Sequence, residues 1–221
     1  MADSESGALI SGKRFLTFAS AVFLSFTLLF ATGGIGIFDF WWWMAVNNVV
    51  FFIWAAFWEQ TLVPRVKADL KTGLKEKIVL GVLSAGLLYG LFFIGNYLIK
   101  ALLPELSIQV AGIYALRTSA SSERILLLLG FIIGPGEELL WRGFFQETLS
   151  RRFGYRAGYL SAAFLYGMAH LSAANPVLVL AALLGGFFWG ALYMWKRSLV
   201  LNALSHIIWD LSVFVWCPFV V

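Results

Sequence analysis

Two adjacent carboxylates and one guanidinium lie inside an otherwise apolar stretch of the chain. Glu137, Glu138 and Arg142 are the charged residues of segment 125–145. Ionisable side chains in such a segment are costly to bury and usually functional. Glu138 and Arg142 are four residues apart, so on a helix they share a face and can form an ion pair. Glu137 points about 100° away around the helix, which leaves it without a local counter-charge.

The residues just before the carboxylates predict an interruption of the helix. Pro135 stands between Gly134 and Gly136, and proline is typical of the first turn of a helix. We therefore expect a break in the span, with both carboxylates near the positive end of a half-helix.

Three more ionisable residues lie in apolar segments, namely His170, His206 and Asp210. His206 and Asp210 are four residues apart, so the carboxylate can fix the tautomer of the imidazole. Tyr166 has the same spacing to His170. A single buried histidine is more often a satisfied core residue than a catalytic one, and Glu138 with Arg142 also fits a purely structural clamp. Together, however, these groups suit water activation, which needs a general base, a proton partner and an electrophilic stabiliser.

The composition places these groups in a membrane. Of 221 residues, 61% are hydrophobic and only 13% charged, and ten are Trp, which is too apolar for a soluble domain and indicates a polytopic protein of the lipid bilayer. The basic residues form short clusters between apolar segments, so we expect no nucleic-acid partner. The one cysteine, Cys217, excludes an intrachain disulfide, and we expect it to be a small packing residue.

The apolar segments predict an all-α transmembrane bundle of about seven spans that encloses an intramembrane catalytic cavity. They form one membrane domain, with a cytoplasmic tail at 1–14 and catalytic core helices at 125–211. Segment 59–77 is basic, and it fits an amphipathic interfacial helix and a solvated loop equally well. The predicted spans are 15–38, 40–58, 78–99, 125–146, 157–171, 177–195 and 198–221.

The basic residues between these spans predict the orientation in the membrane. One side of the bundle carries twelve of them, and the other side carries three. We therefore expect an integral protein of the plasma (inner) membrane with a cytoplasmic amino terminus and an external carboxyl terminus. The twelve are Lys13, Arg14, Arg65, Lys67, Lys71, Lys75, Lys77, Arg151, Arg152, Arg156, Lys196 and Arg197, and the three are Lys100, Arg117 and Arg124.

The motifs Glu137-Glu138-x-x-x-Arg142, Tyr166-x-x-x-His170 and His206-x-x-x-Asp210 resemble, in order and spacing, those of the CAAX prenyl protease and bacteriocin-processing family (CPBP, or Abi) of intramembrane proteases. The resemblance covers 134–211. Tyr166 departs from the family, which usually has Phe there, and Asp210 stands at a position that is Asn or Asp in the family.

The resemblance implies a helical bundle with a conical cavity open to the cytosol. It makes Glu137 the general base on water, His170 its partner, and His206 with Asp210 the oxyanion stabilisers. Glu138 becomes a supporting carboxylate held by Arg142.

We therefore predict an intramembrane endopeptidase that cleaves a membrane-bound, prenylated or otherwise lipidated protein or peptide. Two alternatives remain open. One is a non-enzymatic immunity or scaffold protein. The other is a proton-coupled transporter, whose mark would be repeated pairs of broken helices. The oligomeric state is not predicted.

A metal mechanism is a further alternative. Zinc would then be bound by His170, His206 and either Glu138 or Asp210. We favour a mechanism without a cofactor, because these residues come from separate spans and lack the His-x-x-x-His spacing of a preorganised zinc site.

Overall fold

The computed structural model describes residues 10–219, and these form a helical bundle, as predicted. The helices are α1 (Gly12–Thr32), α2 (Phe40–Trp58), α3 (Leu62–Leu70), α4 (Leu74–Leu102), α5 (Ser107–Ala115), α6 (Ser122–Leu128), α7 (Gly134–Glu138), α8 (Glu147–Phe153), α9 (Tyr155–Met168), α10 (Pro176–Lys196) and α11 (Leu199–Leu211). A short antiparallel hairpin, β1 (Gly34–Ile35) and β2 (Phe38–Asp39), joins α1 to α2. Short 3₁₀ turns cover Pro104–Leu106, Leu116–Ser119 and Leu171–Ala173, and wider π-helical turns cover Leu129–Ile133, Leu139–Gln146 and Ser212–Trp216.

Five helical segments of the described chain are long and apolar enough to cross a membrane: α1, α2, α4, α10 and α11 with the turn that follows it. The fourth predicted span is a continuous helix formed by α6, α7, α8 and the π turns between them. The fifth is α9, whose 14 residues extend only about 21 Å, less than the roughly 30 Å of a bilayer's hydrocarbon core. The count of seven spans remains a prediction.

The helix starts follow from local capping. Ser121, in the polar run before α6, accepts a hydrogen bond from the backbone of Arg124. Asn175 accepts one from Leu178, with Pro176 in the first turn of α10. In both cases the side chain satisfies a backbone N–H that the helix itself leaves unpaired.

The predicted break before the carboxylates is wrong. Ile133 has helical angles (φ −70°, ψ −58°), and the chain continues as a π turn into α7. Pro135 has no N–H, and its ring would clash with an earlier carbonyl in a regular helix. The wider π turn accommodates the proline without ending the helix, so the carboxylates lie within a helix and not at the start of one.

The two glycines around Pro135 instead permit close packing. A Cβ atom on Gly134 would lie 2.8 Å from Cγ1 of Ile207 on α11, and one on Gly136 would lie 2.7 Å from Cβ of Asn48 on α2. Glycine therefore lets α2 and α11 press against the turn that carries Glu137 and Glu138.

The most extensive helix contacts join α4 to α11 and α9 to α10. Two glycines of α10 allow its close contact with α9. A Cβ atom on Gly186 would lie 2.9 Å from the carbonyl oxygen of Ala163, and one on Gly190 would lie 2.9 Å from the ring of Tyr159, both on α9. Helix pairs with such small residues can approach closely in lipid.

Asn47 and Asn48 are buried polar residues of α2, and one of them bonds a neighbouring helix. Asn47 accepts a hydrogen bond from Ser25 on α1 at 2.8 Å. The amide of Asn48 donates to the carbonyl of Met44 in its own helix at 2.9 Å. Cys217 was expected to pack internally, but its side chain is exposed after the last π turn.

The basic segment 59–77 contains a helix, α3, that is attached to the bundle. Leu62 is fully buried, and the guanidinium of Arg65 donates to the carbonyl of Gly143 at 2.9 Å and to the hydroxyl of Tyr193 at 3.2 Å. Part of this segment is therefore a helix that packs on the bundle through Leu62 and Arg65, while Leu70 is 51% exposed. Its place at a membrane interface stays a prediction.

Candidate active site

Glu138 and Arg142 form the predicted ion pair at the centre of the bundle. Nη1 of Arg142 lies 2.8 Å from Oε1 of Glu138, and both side chains are almost fully buried. The second guanidinium nitrogen donates to the carbonyls of Gly185 and Gly186 on α10, both at 3.2 Å. Arg142 thus joins the carboxylate helix to α10. Because its charge and its donors are both satisfied, it can be buried at this depth.

Glu138 also holds His206. Nδ1 of His206 lies 2.7 Å from Oε1 of Glu138. We had assigned the orientation of this imidazole to Asp210, but Oδ2 of Asp210 lies 3.6 Å from Nε2, beyond hydrogen-bond distance. The orienting carboxylate is therefore Glu138, although Asp210 has the expected four-residue spacing to His206.

Glu137 lies beside this pair and faces the other nitrogen of the imidazole. Its Oε2 atom lies 3.8 Å from Nε2 of His206, although the two residues are on different helices. The hydroxyl of Tyr166 donates to the same oxygen at 2.7 Å. Among residues 10–219, this is the one hydrogen bond that the Glu137 carboxylate accepts. Its remaining lone pairs are free for water or substrate.

His170 lies nearby without touching Glu137. Its Nδ1 atom is 2.8 Å from the carbonyl oxygen of Tyr166, and the ring packs against those of Phe30 and Tyr166, with centroids at 4.6 and 5.0 Å. No ion pair joins His170 to Glu137 in the described part of the chain. A bond from Nδ1–H to the carbonyl leaves Nε2 as the nitrogen available for proton transfer.

Two contributors to the site were missed from the sequence. Asn202 donates to Oε2 of Glu138 at 3.1 Å and to the carbonyl of Trp189 at 2.7 Å. The Trp189 ring stacks on the imidazole of His206, with centroids 3.7 Å apart. Asn202 stands four residues before His206 and so shares its helix face, a signal that could have been recognised. Trp189 is one of ten tryptophans, and nothing in the sequence distinguishes it from the others.

A cavity of about 340 Å³ connects these groups. Its polar lining is small and consists mainly of one patch together with Asn96 on α4, while the other walls are chiefly aliphatic and aromatic side chains of α1, α2, α4, α5, α10 and α11. A largely apolar pocket with a few convergent polar groups is the usual form of a ligand site. The patch consists of Glu137, Tyr166, His170, His206 and Asp210.

The residues proposed for zinc do not come together as a ligand set. Within residues 10–219, no group of three or more His, Cys, Asp and Glu side chains is arranged to hold a metal ion. Nδ1 of His206 is bonded to Glu138, and His170 bonds the backbone of Tyr166. Since zinc sites converge three or four such donors on one point, this arrangement does not fit the metal.

The comparisons with known proteins agree with the motifs. Residues 119–212 match the family model described as Rce1-like, Type II CAAX prenyl endopeptidase Rce1-like. No curated protein and no solved structure gave a significant match. The matched segment contains all seven predicted site residues, so the resemblance to CAAX-type intramembrane endopeptidases is confirmed over this part of the chain.

Proposed function

We propose that this protein is an intramembrane endopeptidase in which Glu137 activates the attacking water. The observation that carries this proposal is the convergence of Glu137 and His206, 3.8 Å apart on two helices, at the polar patch of an otherwise apolar cavity. The match to an Rce1-like endopeptidase domain supports peptide hydrolysis over transport or scaffolding. The cavity's apolar walls suit a membrane-anchored or lipidated peptide.

In the proposed reaction, Glu137 takes a proton from water as the oxygen attacks the scissile carbonyl carbon. The carboxylate has lone pairs free for that water, because Tyr166 supplies the one hydrogen bond that it accepts from residues 10–219. The carbon–nitrogen bond then breaks, and the leaving nitrogen receives the proton from Glu137. His170, which lines the same cavity, can relay this proton through its free nitrogen.

His206 is the candidate oxyanion stabiliser. Its Nδ1 atom faces the buried Glu138 carboxylate and therefore carries a proton directed at Glu138. Nε2 faces Glu137 and Asp210. To donate to an oxyanion from Nε2, His206 must be protonated at both nitrogens, and Asp210 can donate only in its protonated form. A fixed donor next to the developing charge is the usual way to stabilise such an intermediate.

The test is Glu137→Gln, which keeps the size of the side chain and removes the base. Membrane peptides from cells that express the wild type or the variant should be compared by mass spectrometry after amino-terminal labelling. We expect new amino termini with the wild type, and accumulation of the uncleaved precursors with the variant. The variant should be as abundant as the wild type, because a general base acts in the transition state.

Glu105→Gln is the matched control, since Glu105 is an exposed carboxylate far from the motifs in sequence. It should cleave like the wild type. Identical peptide profiles for the wild type and Glu137→Gln would contradict the proposal and favour a scaffold or immunity role.

A further inference from the structure

The bundle has two chemically different ends. At one end, Arg197 pairs with Glu147 at 2.6 Å, Lys196 with Glu76 at 2.8 Å, and Arg151 with Glu59. Twelve of the chain's sixteen basic residues belong to the segments that meet there. We call this the basic end; it consists of 10–14, 59–77, 147–156 and 193–200.

The cavity lies toward the opposite end. On α4 its walls are formed by 91–99, in the last third of the helix, and on α10 chiefly by 177–184, in the first half. In α11 and the chain that follows it, the lining residues begin at His206 and continue to Phe219. Segments 10–14 and 59–77, which close the basic end, contribute nothing to the lining. On these three helices, the active-site cavity therefore extends away from the basic end.

Exposed apolar side chains of α4 and α10 form part of the cavity lining. Five lining residues on these helices have exposed side chains, between 41% and 57%, and on each helix they recur every three or four residues along one face. α4 packs mainly on α11 and α10 on α9, and α5 contacts both α4 and α10, so these exposed faces border the cavity beside α5. The residues are Leu91, Ile94, Leu98, Leu180 and Leu184.

These two observations conflict with a cavity open to the cytosol, as implied by the family resemblance. Lysine and arginine accumulate on the cytoplasmic side of membrane proteins, so the basic end is the cytoplasmic one and the cavity opens on the other side. We propose that the site receives its substrate from the noncytoplasmic side, past the exposed faces of α4 and α10 beside α5. The substrate is then the external juxtamembrane segment of a membrane-anchored or exported lipidated polypeptide.

This inference rests on the proposed proteolytic function for the identity of the substrate, but the side of access can be measured without turnover. Ser119 is exposed and belongs to the cavity end, since it lies in the same short 3₁₀ turn as Leu116, which lines the cavity. With the chain's one cysteine replaced as Cys217→Ser, a membrane-impermeant maleimide should label Ser119→Cys in right-side-out vesicles. In a Cys217→Ser background, Lys71→Cys at the basic end should be labelled only in inverted vesicles.

Access to the cavity itself needs a second pair of variants, also in the Cys217→Ser background. Ala182 and Ala162 are both buried alanines, at 6% and 4% exposure, but only Ala182 lines the cavity. A small charged methanethiosulfonate reagent applied to right-side-out vesicles should modify Ala182→Cys at least tenfold faster than Ala162→Cys. Modification of Ala182→Cys only in inverted vesicles, or in neither orientation, would overturn the proposal.

The same measurements on Glu137→Gln separate the two proposals. The thiol reactions report only which side reaches the cavity, so the variant should be labelled like the wild type. If labelling is external but Glu137→Gln leaves all peptides unchanged, the access route stands and the proteolytic function fails. If the peptides change but labelling is cytoplasmic, the function stands and the route fails.

Discussion

Nδ1 of His206 and Nη1 of Arg142 approach the same oxygen of Glu138, at 2.7 and 2.8 Å. Glu138 is therefore more than the clamp partner that its spacing to Arg142 predicts. It also fixes the imidazole so that Nε2 points at Glu137 and the cavity. Because Asn202 donates to the other oxygen of Glu138 at 3.1 Å, this carboxylate is fully engaged and Glu137 is the one left for chemistry.

Arg142→Ala should strongly lower the amount of folded protein in the membrane. The substitution leaves Glu138 buried without its cation, and breaking a buried pair in this way costs about 3–5 kcal/mol. The free energy of unfolding should fall by that order, and abundance should fall with it. Abundance can be measured by immunoblotting and stability by thermal unfolding in detergent. Arg156→Ala, at an exposed arginine, should change neither quantity, and a fully abundant Arg142→Ala protein would contradict the clamp.

Gly136→Ala should destabilise the bundle. Its Cβ atom would meet Cβ of Asn48 at 2.7 Å, so α2 would have to move, at a cost of about 1–3 kcal/mol for such overpacking. Thermal unfolding in detergent measures this loss. Gly86→Ala is the matched control in α4, since a Cβ atom there meets nothing within 4 Å. If both variants unfold at the wild-type temperature, α2 does not pack closely enough against Gly136 to exclude a methyl group.

The sequence predicted the helices well because long apolar segments leave few alternatives. The second span was predicted at 40–58, the bounds of α2 itself. The first span was predicted too long, because the hairpin of Gly34–Ile35 and Phe38–Asp39 is as apolar as the helix before it. The supposed break at Pro135 failed for another reason: a π turn has no sequence signature distinct from the glycine and proline that would also end a helix.

The sequence predicted which residues form the site better than it predicted the contacts between them. Four-residue spacing correctly paired Glu138 with Arg142, but it also suggested Asp210 for His206, where the structure has Glu138 from another helix. Local spacing shows which side chains share a helix face. It cannot show which carboxylate from a neighbouring helix comes closer, because that depends on how the glycines of 134–136 set the distance between helices.

Tyr166→Phe should retain most of the activity. The phenol hydroxyl donates to Oε2 of Glu137 at 2.7 Å, and a hydrogen bond to a charged group contributes about 1.5–3 kcal/mol. Water in the cavity can replace that donor, and the resembled family usually has Phe at this position. We expect the cleavage rate to stay within about tenfold of the wild-type rate, because water would make up for part of the lost hydrogen bond. The measurement is the cleavage rate per folded molecule. If Tyr166→Phe loses as much activity as Glu137→Gln, the hydroxyl itself takes part in catalysis.

Asp210→Asn distinguishes a mechanism without a metal from a zinc mechanism. Oδ2 of Asp210 lies 3.6 Å from Nε2 of His206 and lines the cavity, so it can meet an oxyanion only as a donor. Asn has the same size and donates an N–H, so most of the activity should remain. Asp210→Leu keeps the bulk but has no donor, and loss of one oxyanion donor costs about 10²–10³ in rate. Cleavage rates of purified protein in proteoliposomes distinguish these outcomes.

The same assay with a chelator completes this test. In a mechanism that uses no metal, dialysis against excess chelator leaves the wild-type rate unchanged, and Asp210→Asn remains active in the same buffer. Zinc ligation by Asp210 requires a carboxylate, which Asn cannot supply. A dead Asp210→Asn variant, together with wild-type activity that the chelator removes and zinc restores, would establish the metal mechanism. An active Asn variant with an inactive Leu variant would instead assign residue 210 to donation toward the oxyanion.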